Sequence, residues 1–445
     1  MNKRKLNLIC LLALVIRLGV LLGSTWTGSD GIYLSQTAEY VELADSIRSE
    51  QQFQRDGDAE IYHTPGYPAL LAAIPWIGPS WFAIASMFGI LLDVAATALL
   101  ALLGWLIWNE RVGLLAALLH AVNPLAVAVS IRIAPVGPFT AVLVAALLCL
   151  VLALRNGSTA ILAGGTLLLA AACFIHPVGL LVAGVLLVLL AVRAAVGWRD
   201  GRRWLHLTTA GVVLIGSVSL WVARNGRQAS YTGFSAAATV HLVKHEAAAT
   251  LADAGKLPLP EARQVLEDRI QHRLRSVDRN DRDHISRIYR QEGLAIMEKY
   301  PGRWALVHLR GSTAALLPGM IEVFAVLGLG PERESLAGRL QQQGPAATLQ
   351  NWFDAESWLL WTAAPFVLLL VGRYIFAFRA LVVGALKGGI RSEHWLLVLT
   401  AAVLLLAWGP ASEPSTRMPV APLISLAAAA GLLIRRDRAG AADGA

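Results

Sequence analysis

Apolar residues run along this chain in long blocks separated by short polar links. Blocks of the length needed to cross a bilayer as helix fall near 6–23, 82–108, 112–130, 138–154, 158–175, 178–193, 205–222, 357–377, 394–409 and 418–434, with 304–328 as a weaker eleventh. The pattern predicts an all-α polytopic membrane protein with about ten transmembrane helices. Two stretches, Ser24–Trp81 and Arg224–Arg303, are polar enough to lie outside the bilayer as helical loops. In the first, Tyr40, Leu43, Ala44 and Ile47 recur at helical spacing, with Ser35 placed to cap the helix and Glu39, Glu42 and Asp45 on its other face. A corner follows, Tyr62-His63-Thr64-Pro65-Gly66-Tyr67-Pro68, whose prolines fix φ and whose glycine permits a tight turn. In the second loop, one helix is expected over Glu261–Arg275. Another is capped by Asp281 or Asp283, with Ile285, Ile288 and Tyr289 on one face.

Charge sets the topology. With the N-terminus inside and the first block kept as a span rather than cleaved, Arg111, Arg155 and the group Arg193, Arg199, Arg202 and Arg203 fall on the cytoplasmic side, as the positive-inside rule requires. If 304–328 crossed, Arg373, Arg379, Lys387, Arg391, Arg435, Arg436 and Arg438 would lie outside; Pro318-Gly319 also interrupts it. The segment is therefore read as re-entrant or interfacial. The expected organisation is a transmembrane module over 1–223 that includes the loop 24–81, and an outer helical cap over 224–356. The last helices lie within 357–438, and a disordered tail covers 439–445. Both termini are cytoplasmic and both loops face outward.

The chain has 445 residues, 56% hydrophobic and 15% charged, and its mean hydropathy of +0.57 excludes an ordinary soluble domain. The net charge of +8 sits largely in links beside spans, so it does not imply nucleic acid. Cys10, Cys149 and Cys173 all lie in apolar blocks, which argues against a disulfide framework.

Four local patterns resemble the polytopic GT-C-type glycosyltransferases that use polyprenyl-phosphate sugars, among them the protein O-mannosyltransferases and the aminoarabinose transferases of lipid A. They are Tyr62–Pro68, similar to an H-P-P-G-Y-P corner, and Asn123-Pro124 at the end of the third span. The others are Trp221-Val222-Ala223-Arg224-Asn225, similar to W-x-x-R-N, and Arg417-Met418-Pro419-Val420-Ala421-Pro422, similar to R-x-P-x-x-P. The resemblance implies a GT-C-like fold and sugar transfer from a polyprenyl-phosphate donor to a lipid, glycan or protein acceptor. The site would lie on the outer face of the cell (inner) membrane. Three polar positions depart from the pattern. Gln36 stands where the family has Asp four residues before Tyr40, Val136 replaces an acid before Phe139, and His176-Pro177 replaces Arg-Pro.

Such a transfer needs a base for the acceptor hydroxyl and cations for the departing phosphate. With the usual Asp missing, Asp30 is the first substitute for the base and Glu39 the second; a turn carboxylate and a solvated helix face are the plain alternatives. Arg224 and Arg417 are candidates for the phosphate or snorkelling arginines. His176 is a pH-dependent donor or a plain helix end, and His63, with Tyr40 and Tyr67, is a substrate contact or a corner hydrogen bond. No metal site is assigned. Asp56-Gly57-Asp58 leaves a divalent metal open beside an ordinary turn, and His241 with His245 has no partner ligands. Asp93 and His120 are polar within spans. A catalytically reduced relative that binds lipid-linked sugar or assists a partner is the second reading, and a transporter or flippase the third.

Overall fold

A computed structural model describes residues 1–34, 36–75, 78, 81–278, 280–329, 357–386 and 391–433. Ser35, most of the segment 329–355 and the tail 439–445 lie outside them. The bundle opens with α1 (Lys3–Thr27), capped by the Asn2 side chain on the Lys5 amide and closed by Gly28 at φ 63. The first loop carries α2 (Thr37–Glu50) and α3 (Gly66–Ala72). Then come α4 (Trp81–Ile107), α5 (Glu110–Ala121), α6 (Pro124–Ile131), α7 (Val136–Asn156), α8 (Thr159–Ile175), α9 (Gly179–Val196) and α10 (Gly201–Ala229). The second loop holds α11 (Ala237–His241), a π-helical turn (Leu242–Ala247), α12 (Ala248–Gly255), α13 (Leu259–Leu274) and α14 (Arg282–Lys299). The chain ends through α15 (Pro301–Ser312), α16 (Met320–Val326), α17 (Ser357–Leu386), α18 (Ser392–Leu406) and α19 (Ala421–Leu433).

Among the described residues seven helices are long and apolar enough to span, or eight if α5 and α6 count as one. The apolar α8 and α18 are shorter. The protein is thus all-α, polytopic and membrane-embedded. Within the expected span over 112–130, α5 and α6 meet at a 60° bend. Pro124 has no amide hydrogen to continue the helix, and the Asn123 side chain accepts from the Leu125 amide at 3.2 Å, starting a new one. The segment 304–328 is α15, a 3-10 turn over Thr313–Leu316, and α16. Its break packs so closely on α6 that a Cβ on Gly319 would lie 2.6 Å from Leu125 Cβ.

At 12 residues, α5 is about 18 Å long, well short of a hydrocarbon core of about 30 Å. Of its last carbonyls, Leu118 O and His120 O accept from the Val122 and Asn123 amides, and two arginines supply donors for the others. Arg17 on α1 reaches Ala121 O at 3.0 Å and also Ala13 O, and Arg373 on α17 reaches Leu119 O. A cation at a helix C-terminus also meets the negative end of its dipole. Arg17 is balanced by Asp93, whose Oδ2 accepts from Nε at 2.7 Å, while His120 Nε2 lies 3.1 Å from Oδ1. All three side chains are buried.

The corner rests on α8: a Cβ on Gly66 would fall 2.6 Å from the Phe174 backbone. Gly66→Ala is therefore expected to destabilise the fold by about 1–3 kcal/mol through overpacking, read as a lower thermal midpoint in detergent.

Candidate functional site

The helix expected from Ser35 begins at Thr37, whose Oγ1 accepts from the Leu34 amide and donates to Ile133 O, tying the first loop to the α6–α7 link. Leu43 and Ala44 are buried, and Glu39 stays partly exposed. After α2 the chain makes a small hairpin, pairing Gln54 with Ala59 and Arg55 with Asp58. Asp56 and Gly57, at φ 53 and 81, form its tip. Two successive residues with positive φ are what a tight two-residue hairpin turn needs. Asp58 faces Arg282 at 3.1 Å, and that arginine also donates to Ala59 O. Asp56-Gly57-Asp58 is thus the tip of a hairpin bound to α14. No group of three His, Cys, Asp or Glu among the described residues is arranged to hold a metal ion.

Glu60 then organises the corner. Its Oε1 accepts from the amides of Tyr62 and His63 at 2.5 and 2.9 Å. Burial alone would raise this carboxyl; the hydrogen bonds and charge from His63, with the Tyr62 amide, outweigh it and hold the group below its ordinary value. The buried His63 ring lies between two carboxylates: Nε2 is 3.1 Å from Glu39 Oε2 and Nδ1 3.6 Å from Glu60 Oε1. These are ion-pair distances without hydrogen-bond alignment. Arg55 holds Glu39 from the other side at 3.2 Å. Tyr40 packs edge-on against His63 at 4.7 Å and Tyr67 at 5.1 Å, and Tyr62 caps the ring at 4.8 Å. Burial raises the phenols of Tyr40, Tyr62 and Tyr67, so they stay neutral hydroxyls. The result is one carboxylate, 38% exposed, backed by a buried imidazole and a buried second carboxylate.

The structure thus brings together Glu39, Tyr40, His63 and Tyr67. It gives the other candidates different surroundings. Asp30 is the exposed first residue of a 3-10 turn (Asp30–Ile32) whose Ile32 is buried, and the adjoining Gly31 abuts the α16 backbone at Ala325. Arg224 donates to Phe53 O at 2.7 Å and Glu60 O at 2.9 Å, and stacks on Trp221 and Phe53. It staples both ends of the hairpin to α10. Arg417 is buried and donates through Nη1 to Ala315 O, Leu317 O and the Tyr374 hydroxyl, holding the break before α16. His176 closes α8: its Nδ1 accepts from the Val178 amide, and burial pushes it down to about 4. Gln36 is exposed at the start of α2 and makes no side-chain capping bond, and Val136 opens α7 without a polar partner.

The second loop folds onto the same corner, with Ser235 Oγ donating to Tyr62 O and the Ala236 amide to Ile61 O. Its π-helical turn buries Glu246 against Trp304 Nε1 at 3.0 Å and His308 Nδ1 at 2.9 Å, with His241 Nε2 at 3.6 Å. The rings of His241 and His245 are tilted at 33° with their centroids 5.2 Å apart. Burial, then the neighbouring His241, pushes His245 down to about 4. For His176 and His245 the folded value lies below the unfolded one, so the unfolded chain binds protons that the fold refuses. Their contribution is complete above about pH 6.5, the unfolded value, and is lost as pH falls toward 4. Thermal midpoints measured across that window should drop on acidification, and His245→Asn should flatten the drop.

Sequence reasoning missed Glu60, Arg55, Arg17, Arg373 and Glu246. For Arg17 and Arg373 a signal was present, since each interrupts an apolar run.

The fold is similar to that of two archaeal oligosaccharyltransferase structures. The oligosaccharyltransferase of Archaeoglobus fulgidus in its apo form superposes with a TM-score of 0.55 at 14% identity, over 98% of this chain and 51% of that one. The same organism's oligosaccharyltransferase AglB, in complex with an inhibitory peptide and a dolichol-phosphate, gives 0.51 at 13% identity, over 96% and 50%. ArnT from Cupriavidus metallidurans, bound to undecaprenyl phosphate, covers 99% of this chain and 80% of its own at 15% identity, but its TM-score of 0.39 is too low to bear on the fold. This chain spans about half the length of the oligosaccharyltransferase structures. No protein-family model matches the sequence, and no curated protein matches it either.

Proposed function

We propose that this chain is an integral-membrane glycosyltransferase. It moves a hexosyl or pentosyl group from a polyprenyl-phosphate carrier to a lipid, glycan or protein acceptor on the outer face of the cell membrane, with both termini in the cytoplasm. The observation that carries this reading is the partly exposed Glu39 carboxylate, held 3.1 Å from His63 on a rigid corner at the loop end of the bundle. Such a carboxylate suits a general base. Glu39 takes the proton of the acceptor hydroxyl as its oxygen bonds to the sugar's anomeric carbon, and the carrier phosphate leaves with the bonding pair. His63, positioned by Glu60, orients the base; Tyr40 and Tyr67 wall the site. Glu39 is preferred to Asp30 because it alone has this support. The dolichol-phosphate bound by the oligosaccharyltransferase AglB is consistent with the carrier class.

The second reading, a relative that binds lipid-linked sugar without transferring it, is favoured by the engagement of Arg224 and Arg417 with backbone carbonyls and by the neutral His176. Incubating the purified protein with short-chain polyprenyl-phosphate hexoses and pentoses decides between them. Sugar release supports the transferase. Binding without release supports the second reading, and absence of both overturns the two together.

A further inference from the structure

The turn between α9 and α10 is held by its own polar groups. Asp200 caps α10: its Oδ1 accepts from the Arg202 amide at 3.0 Å and its Oδ2 from Arg203 Nε at 3.1 Å. Arg203 also donates to Arg193 O at 3.1 Å, lying so close over Gly197 that a Cβ there would collide with its guanidinium. Arg193 in turn reaches Ser392 Oγ on α18. Over 193–206 four arginines stand against one carboxylate. Glu393 of α18, whose charge also acts on Arg193, is bonded to Arg155. Arg199 and Arg202 are left exposed, and among the described residues neither has a carboxylate within ion-pair distance. Beside them stand two exposed indoles. Trp204 Nε1 donates to Trp198 O at 3.1 Å, and the Arg199 guanidinium lies 4.9 Å over the Trp198 ring. Val192, Val196 and Leu205 are exposed as well, on two helices of spanning length.

We infer that this turn binds the headgroup of an anionic phospholipid. Its phosphate meets Arg199, Arg202 adds to the charge, and its acyl chains run along Val192, Val196 and Leu205. Tryptophan sits at the boundary of acyl chain and headgroup, so Trp198 and Trp204 set the turn at the depth of the phosphate. Arginine bonds a phosphate through its planar edge while its face stays stacked on an indole. An anionic headgroup is favoured over a zwitterionic one because the excess positive charge of the turn needs net negative charge to offset it. The positive-inside rule explains why arginines gather on this face. It does not call for an indole bonded into the turn or for an arginine stacked on another. The inference rests neither on the transferase reading nor on which face is cytoplasmic, since the turn meets a lipid leaflet in either orientation.

The test titrates the full chain, in a neutral maltoside detergent, separately with dioleoyl phosphatidylglycerol and dioleoyl phosphatidylcholine. Native mass spectrometry reads the lipids retained, and amide hydrogen exchange over 197–203 locates them. A first phosphatidylglycerol should be held more tightly than phosphatidylcholine, and it alone should slow exchange in the turn. Arg199→Gln with Arg202→Gln should weaken phosphatidylglycerol about twentyfold, roughly fivefold for each charge, and leave phosphatidylcholine unchanged. Both side chains are exposed, so this variant should fold. Lys3→Gln with Arg4→Gln removes the same charge from the exposed start of α1, and there the phosphatidylglycerol affinity should hold. Equal affinity for the two lipids, or an undiminished affinity in the turn variant, overturns the inference. So does an equal loss in the α1 variant, which would make the attraction one of overall charge and not of a site.

Discussion

Asp93→Asn should lower the stability of the folded protein by about 3–5 kcal/mol, the usual cost of removing one partner from a buried ion pair. Asn preserves the shape of the side chain and even part of its hydrogen bonding. It does not preserve the charge. Arg17 is wholly buried, and two of its nitrogens face Asp93. Once that carboxylate is neutral, a guanidinium is left in the bundle with only carbonyls around it, and His120 loses the acceptor on its Nε2. Thermal unfolding in detergent gives the measurement, and the double variant Arg17→Met with Asp93→Leu gives its control. Removing both charges together should recover most of the loss. If the double variant is as unstable as the single one, the cost lies in packing and not in the uncompensated charge.

Glu39→Gln should abolish most sugar transfer, by about 10²–10⁴-fold in kcat, the usual worth of a positioned general base. The fold should be unaffected, because the side chain is partly exposed and His63 keeps its contacts with Glu60, Tyr40 and Tyr62. The split between kcat and KM is informative. A base acts only as the hydroxyl is deprotonated, so KM for the carrier should hardly move. Asp30→Asn should leave turnover near the wild-type level. Turnover lost in Asp30→Asn and kept in Glu39→Gln would reverse the assignment made here.

The spans were legible because a hydrophobic run of sufficient length has few other fates, and the all-α fold follows from that alone. The bend at Asn123-Pro124 was not read as a break, although both residues carried the signal: an amide-capping side chain followed by a residue with no amide hydrogen. The corner was visible as a rigid element, and His63, Tyr40 and Tyr67 were visible with it. Glu60 was not, since nothing in the sequence marks a carboxylate that will turn back onto the next two amides. Arg224 shows the opposite difficulty. A cation at a span's end reads equally as a phosphate ligand or a staple, and the sequence does not show the carbonyls of Phe53 and Glu60 to which it donates. At His176, open between a pH-dependent donor and a plain helix end, the choice turns on burial, which residue type does not give.

The Arg17–Asp93 pair also constrains biogenesis. The two residues lie 76 positions apart on separate spans, so during synthesis α1 leaves the ribosome well before its counter-charge exists. An unpaired arginine at the centre of a helix makes insertion unfavourable by about 2.5–3.5 kcal/mol. The first span therefore has reason to linger at the translocation channel until α4 arrives, and the two enter the lipid as a neutral pair. The half-length α5 comes next, and its exposed end is met by the arginine already waiting on α1, while Arg373 reaches the same end only when α17 has been made. The order in which charges and bare carbonyls are covered is thus written into the order of the helices along the chain.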